Sequence, residues 1–275
     1  MSNLKEFNLA IGQERTKEYL KGMLGSDKKR DSFVTTLTAA VSDDKLLQEC
    51  EPMSIMYAAL KATALDLPID KNLGLSALIP YKDKKNNRTV AQFQVMRNGW
   101  VELAQRSGKI RTIVNEIVHE GELVSKNKFT GDYIFDENKR TSDKVIGYMA
   151  YVRTTDGFEK TVYWDVEKCR KHGQKYSKNY NKETSLWKTS FDEMCLKTVL
   201  KHLINKYVPK SPAMLEAIRS DQAVIGEGLV PQYIDNPVED QEAEDVTNET
   251  PAYNDLVEEK KEELRQRQNT APELP

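Results

Sequence analysis

The hydrophobic pattern of this chain leaves helical period near residue 70, and that change puts two kinds of secondary structure into one protein. Upstream, residues 13–67 keep apolar side chains at helical spacing. Ser26 or Asp27 can cap a helix carrying Phe33, Val34, Leu37 and Val41, and Asp43 can cap a short one carrying Leu46 and Leu47. Ile55, Ala59, Leu60 and Ala64 predict a further helix between Pro52, which suits a first turn, and Pro68, which ends the run. Downstream the alternation is that of strands. Leu75 to Tyr81 and Val90 to Met96 are β-prone and flank the polar stretch from Lys82 to Arg88, which predicts a hairpin. A helix from Asn98 to Ser107 follows, stopped by Gly108 in the C-cap place. Ile110 to His119 alternates, and Val145 to Arg153 pairs with Glu159 to Trp164 across Thr154-Thr155-Asp156-Gly157, a second hairpin. Trp187 to Tyr207 is the longest helical pattern, with Phe191, Cys195, Val199 and Leu203 on one face. Pro209 and Pro212 break it before another helix from Ala213 to about Val224.

These elements predict an α+β fold rather than a βαβ series: a helical N-terminal subdomain, a mainly antiparallel sheet with packed helices, and a long C-terminal core helix. Residues 1–51 read as a helical assembly region, 52–225 as the core, and 226–275 as an acidic, flexible tail. Beyond Pro231 the chain turns acidic and polar, with Pro237, Pro251, Pro272 and Pro275, and holds too little apolar surface to offset its ordering entropy. Leu256, Val257 and Leu264 would let Asn254 to Gln268 form a short amphipathic helix on a partner.

Charge narrows the function. The formal net charge is −2 over 275 residues, yet 15 acidic and only 4 basic residues fall from Asp221 onward, so the tail carries −11 and the body +9. A basic body points to a polyanion, and an acidic arm competes for that surface or recruits another protein. Other classes are disfavoured. The N-terminus, Met1-Ser2-Asn3-Leu4-Lys5-Glu6, lacks the apolar run of a secretory signal, and no stretch is apolar enough to span a membrane, which predicts a cytoplasmic protein. Cys50, Cys169, Cys195, His119, His172 and His202 show neither C-x-x-C nor H-x-x-x-H spacing, so no disulfide framework or zinc site is expected. The phosphate-cradling patterns G-x-x-x-x-G-K-[ST] and G-x-G-x-x-G are absent, and the histidines fit packing or surface roles better than a hydrolytic triad. Asp132, Asp136 and Glu137-Asn138-Lys139 offer the carboxylates of a divalent-metal nuclease, but in a polar stretch that reads better as a solvated loop.

Two basic segments are more specific. Eight basic residues against two acidic ones lie between Lys82 and Arg111, and eleven against three between Lys168 and Lys210. Tyr81, Phe93 and Trp100 interleave the first; Tyr176, Tyr180 and Trp187 the second. That mixture suits a single strand, whose phosphates attract Lys and Arg while its bases stack on rings. The expected DNA contacts are Lys82, Phe93, Arg97, Arg106, Lys109 and Arg111 from the first segment, and Lys171, Lys197, Lys201, Lys206 and Lys210 from the second, converging in one groove. Structural roles compete for some of them. Trp100 and Trp187 sit on apolar stripes, and Arg106 can pair with Glu102, and Lys197 with Glu193, at i,i+4.

At these residues the chain resembles the RecT family of phage single-strand annealing recombinases, over roughly residues 35–212. The similarity runs through Pro52-Met53-Ser54-Ile55, Ala58-Ala59-Leu60, Leu65-Asp66-Leu67, Leu78-Ile79-Pro80-Tyr81 and Gln92-Phe93-Gln94. It continues in Gly99-Trp100-Val101-Glu102-Leu103-Ala104-Gln105-Arg106-Ser107-Gly108, then Trp187, Phe191-Asp192-Glu193-Met194, Lys197-Thr198-Val199-Leu200 and Pro209-Lys210-Ser211. The resemblance implies an ATP-independent protein that coats single-stranded DNA as rings or helical filaments and holds the annealed duplex intermediate. It implies work alongside a phage 5′→3′ exonuclease and the host single-strand binding protein, with no cofactor required and Mg2+ only modulating DNA binding.

Overall fold

The computed structural model describes residues 3–70, 72–84, 86–177 and 180–233. Three helices open the chain: α1 (Asn3–Gly12), α2 (Glu14–Leu24) and α3 (Asp27–Ser42). The Ser26 hydroxyl accepts from the Lys29 N–H and so caps α3 as expected. The next short element is a 3-10 turn, Leu47–Glu49, and Asp44 rather than Asp43 caps it, its carboxylate accepting from the N–H groups of Leu46 and Leu47. α4 (Pro52–Ala64) begins on its proline and is buried along most of its length, through Ile55, Met56, Ala58, Ala59, Leu60 and Ala62. Phe7, Ile11, Leu20, Leu37 and Val41 carry α1 to α3 into the same core.

Among the described residues the strands form three antiparallel sheets, the smallest a lone hairpin. β1 (Ser76–Asp83) and β2 (Arg88–Val95) make the first predicted hairpin, and α4 packs across it. α5 (Arg97–Arg106) ends at Gly108, whose φ of +67° is the left-handed conformation that glycine adopts without a Cβ penalty. β3 (Ile110–His119) leads to a hairpin of β4 (Leu123–Asn127) and β5 (Asp132–Phe135), then to β6 (Val145–Thr154) and β7 (Glu159–Asp165). The second sheet has order β3-β6-β7. Its register aligns Ile113, Val152 and Lys160, then Asn115, Ala150 and Val162, then Ile117, Tyr148 and Trp164 on one face. The stretch around Asp132, read as a solvated loop, is thus half hairpin, while the Asp136 carboxylate caps a 3-10 turn by accepting from the Asn138 N–H.

α6 (Val166–Tyr176) and the single turn α7 (Leu186–Thr189) precede α8 (Phe191–Tyr207), which covers the inner face of β3-β6-β7. The expected unbroken helix over 187–207 is therefore two helices, because Ser190 leaves helical geometry at φ −145°, ψ 53°. α9 (Pro212–Ser220) is also shorter than expected. It gives way to β8 (Ala223–Ile225), which joins β2, and β9 (Pro231–Gln232) pairs with β8 to complete the order β1-β2-β8-β9. Three residues were too few to show as a strand in the sequence, and only β2 gives them a partner. Of the tail expected over 226–275, residues 226–233 belong to the body, with a 3-10 turn at Glu227–Leu229 and β9; the rest lies outside the described residues.

Two buried features fix α8. Its Lys201 ammonium lies 2.6 Å from Asp221, whose fully buried carboxylate also accepts from the Val95 N–H at 2.9 Å, tying α8, the end of α9 and the end of β2 together. On the other flank His172 of α6 sits among rings, 5.3 Å from Trp164, 4.6 Å from Tyr176 and 6.4 Å from Trp187. Burial, then the positive charges of Lys201, His202, Lys168 and Lys175, push the His172 imidazole down to about 4.

Asp221→Ala will strand a largely buried ammonium and an amide N–H. It is expected to cost about 3 kcal/mol, the low end of the range because Lys201 keeps some water contact, while Asp221→Asn retains an acceptor and costs less; urea midpoints measure both. The His172 shift carries its own sign. A histidine depressed in the fold takes its proton more readily when unfolded, so stability is full above pH about 6.5 and falls as pH drops toward 4. His172→Phe is expected to flatten that part of the profile, read as thermal midpoint against pH.

Candidate nucleic-acid interface

The expected contacts fall into two groups. Phe93 is 0% exposed and faces the core, so it offers no stacking surface; its place among basic residues in the sequence does not carry over, because β2 is buried from Val90 to Phe93. Trp100 is likewise fully buried, and Trp187 nearly so, as their apolar stripes implied. Arg106 is exposed but engages its donors within the chain, on Glu102 at 2.9 Å, on the Leu65 carbonyl at 2.9 Å and on the Asp66 carbonyl at 2.7 Å. These bonds hold the end of α4 where Asp66 adopts a φ of +53°. Lys197 does not pair with Glu193. It is buried against the Gln94 side-chain oxygen at 3.4 Å and the Met96 sulfur, and that burial pulls its ammonium below the usual lysine range against the opposing pull of Asp221. Glu193 faces Arg97 instead, at 3.9 Å. Hairpin, α5 and α8 do converge, but as a buried polar network rather than an open groove.

The others are exposed and dispersed. Lys82 stands opposite Thr89 near the tip of the first hairpin, about 17 Å along β2 from the Gln94 contact at ~3.4 Å per residue. Lys109 and Arg111 are exposed at the β3 edge, while Lys171 is exposed on α6, Lys206 near the end of α8, and Lys210 beyond it.

A different set of lysines forms a continuous line along β7 and α8. It begins at Lys168, whose ammonium lies 4.6 Å from the Trp164 ring; Trp164 in turn packs 5.1 Å from His202 on α8. One turn further along α8 comes Lys206. Lys160, four residues back along β7 and about 13 Å from Trp164, shares the Tyr207 ring with Lys206, at 5.8 and 5.7 Å. Lys160 also donates to the Thr130 carbonyl at 3.2 Å, which carries the line to the β4–β5 hairpin. There Lys126 lies 5.9 Å over Tyr133, and Lys128 lies 5.0 Å over Phe129. Tyr133 and Phe135 pack on Tyr163 at 5.7 and 6.0 Å, which seats the hairpin on β7.

Electrostatically this line differs from the buried network. Among the described residues, Lys126, Lys128, Lys160, Lys168 and Lys206 have no carboxylate within 4.0 Å, the limit of an ion pair. Cation–ring contacts at exposed sites are worth only about 0.5–1 kcal/mol each, so they orient the ammonium groups without neutralising them. Such a surface can meet phosphates spaced along a strand. Of its members, sequence reasoning had named only Lys206. Residues 123–131 hold two lysines, one phenylalanine and no acid, but that signal is short, and its link to Lys160 and Lys206 exists only in three dimensions. Among the described residues no cluster of three or more His, Cys, Asp or Glu side chains is arranged to hold a metal ion, and no helix is long and apolar enough to cross a membrane.

Comparison with known proteins identifies the family. The RecT family matches residues 31–247. The chain is 37% identical over 225 residues to the uncharacterized protein YqaK of Bacillus subtilis (strain 168), covering 78% of this chain and 75% of that protein. It is 26% identical over 218 residues to Protein RecT of Escherichia coli (strain K12), covering 77% of this chain and 78% of that protein. A basic, ring-studded body and a family match over most of its length lead to one conclusion: the chain belongs to the RecT family, DNA-binding proteins of single-strand annealing in recombination.

Proposed function

We propose that this protein binds single-stranded DNA along the β7–α8 lysine line, assembles into an oligomer on it, and pairs complementary strands without ATP. The observation that carries the reading is the run from Lys168 through Lys160 and Lys206 to Lys128, ammonium groups held over rings and, among the described residues, without a carboxylate within 4.0 Å. Two complementary strands repel each other through their phosphates. Lysines that neutralise backbone charge lower that repulsion, and contacts confined to the backbone leave base edges free to test for complementarity. Pairing then supplies the sequence specificity. Because duplex formation is downhill, the protein needs only to remove a kinetic barrier, and Mg2+ acts as a competing counter-ion rather than a cofactor.

The acidic tail has a separate role in this reading. Its −11 charge disfavours DNA and suits recruitment of a phage 5′→3′ exonuclease and a host single-strand binding protein through Leu256, Val257 and Leu264. It also competes with DNA at high effective concentration while tethered to a basic body.

If each protomer meets about four phosphates, log K against log[salt] will fall with a slope of roughly −3 per protomer before cooperativity. Lys160→Gln and Lys206→Gln are each expected to reduce that slope by about 0.7, whereas Lys197→Gln should alter the unfolding midpoint and leave the slope alone. A slope near zero in the intact protein would sink the reading. Labelled strands incubated with Mg2+ should stay full length; shortened products would replace annealing with nuclease activity. Because β9 pairs with β8, the tail should be cut after residue 234. That truncation is expected to anneal normally, to bind DNA as well or more tightly at low salt, and to lose capture of the exonuclease and single-strand binding protein.

A further inference from the structure

The β4–β5 hairpin ends in the most exposed large apolar side chain among the described residues: Phe129, 88% accessible. Water-facing phenylalanine at a loop tip is ordinarily tolerated where the loop can fold it away. This tip cannot readily do so. The Asn127 side-chain oxygen accepts from the Phe129 N–H at 3.0 Å and the Thr130 N–H at 3.3 Å, and the Asn127 carbonyl accepts from the Gly131 N–H at 2.8 Å. Gly131 sits at a φ of +74°, which favours glycine, and a Cβ there would lie 2.6 Å from the Lys160 ammonium and displace it from the turn. Lys160 clamps the same turn from β7 through the Thr130 and Gly131 carbonyls. The turn is built to hold a ring outward.

Its surroundings say what the ring meets. Residues 123–131 contain Lys126 and Lys128 and no acid, and the tip continues the lysine line that ends at Lys160 and Lys206. A purely apolar protein partner would leave two ammonium groups desolvated beside the ring, whereas a nucleotide offers a flat π-face and a phosphate a few ångströms apart. We propose that Phe129 stacks on a nucleobase of the bound strand while Lys126 and Lys128 hold the flanking phosphates, making the hairpin a stacking finger. This rests on the reading of the lysine line as the strand-binding surface. The finger adds an aromatic contact to it that tolerates any base, since every base has a π-face.

The test is a cycle that removes the ring and the base separately. Intact protein and Phe129→Ala are titrated with a short oligonucleotide and with the same oligonucleotide carrying abasic residues, at fixed salt; 2-aminopurine in the normal strand reports stacking by quenching. Phe129→Ala is expected to bind the normal strand about five- to a hundred-fold more weakly, with reduced quenching. Its affinity for the abasic strand should match that of the intact protein, and Phe129→Trp should restore normal binding. Equal losses on both strands, or no loss on either, would overturn the stacking contact, as would a variant whose assembly alone is impaired, since the finger would then touch a second copy. Circular dichroism confirms folding, which an exposed side chain should not affect. If Lys160→Gln weakens binding while Phe129→Ala does not, the finger fails and the lysine line stands; if the intact protein binds neither strand, the strand-binding reading itself has failed.

Discussion

The buried carboxylate of Asp221 is the constraint on which the arrangement of the body depends. One oxygen accepts the Val95 N–H at the end of β2, and the other holds Lys201 in the middle of α8. Besides it, α8 reaches the β2 side through Lys197 and through apolar packing of Leu196, Val199, Leu200 and Leu203 in the shared core. With it, one ionic contact and one amide bond bring the two sheets to a common helix. The next residue, Gln222, takes a φ of +66° and donates its N–H to the Phe93 carbonyl, so the chain turns directly into β8. A charge is costly to bury, and it persists where both partners are satisfied and removing either leaves the other unpaired. The same logic applies to Lys61, nearly buried in α4 and 2.5 Å from Glu216 of α9.

This explains how much of the fold could be read from the sequence. Elements set by local periodicity and punctuation were legible: β3 over Ile110–His119, the β1–β2 and β6–β7 hairpins, and the helix stopped by Gly108. They failed to show where tertiary contacts decide. Ser190 breaks a pattern whose apolar spacing continues through it, and β8 exists because β2 has a free edge beside it. The β4–β5 hairpin was hidden for another reason. Its inward signal is the Tyr133 and Phe135 pair on Tyr163, while Val124, Phe129 and Ile134 remain exposed, so no clean alternation of buried and polar positions marks it.

The site was less legible than the fold, and again for a physical reason. Counting basic residues finds segments rich in positive charge but cannot tell a lysine that is bound inside from one that faces solvent. Lys197, Lys201 and Arg106 lie in the two densest segments, yet their charges serve the joints between α8, β2, α4 and α5. Lys160 lies outside both segments, in a strand that reads as ordinary, and becomes central only because β7 runs beside α8 and under the hairpin tip. Internal pairs such as Lys61–Glu216 already cancel within the body's net +9, so what a polyanion meets is set by which lysines face solvent without a carboxylate rather than by the sum.

The distinction bears on how such a surface can release what it pairs. Lysines engaged by carboxylates would have to break those contacts before meeting phosphate, making binding slow and dependent on rearrangement. Lysines resting on rings give up only a weak contact, so the surface exchanges one phosphate for another at little cost. Sequence-tolerant annealing demands that property, because two strands must slide past many wrong registers before the right one. In the proposed reading, a single held aromatic at one end of a soft cationic track would supply the complementary need: a point that fixes a base plane without reading its edge. Soft charge along β7 and α8 with that ring at the hairpin tip would then leave base pairing, rather than the protein, to decide which register is kept.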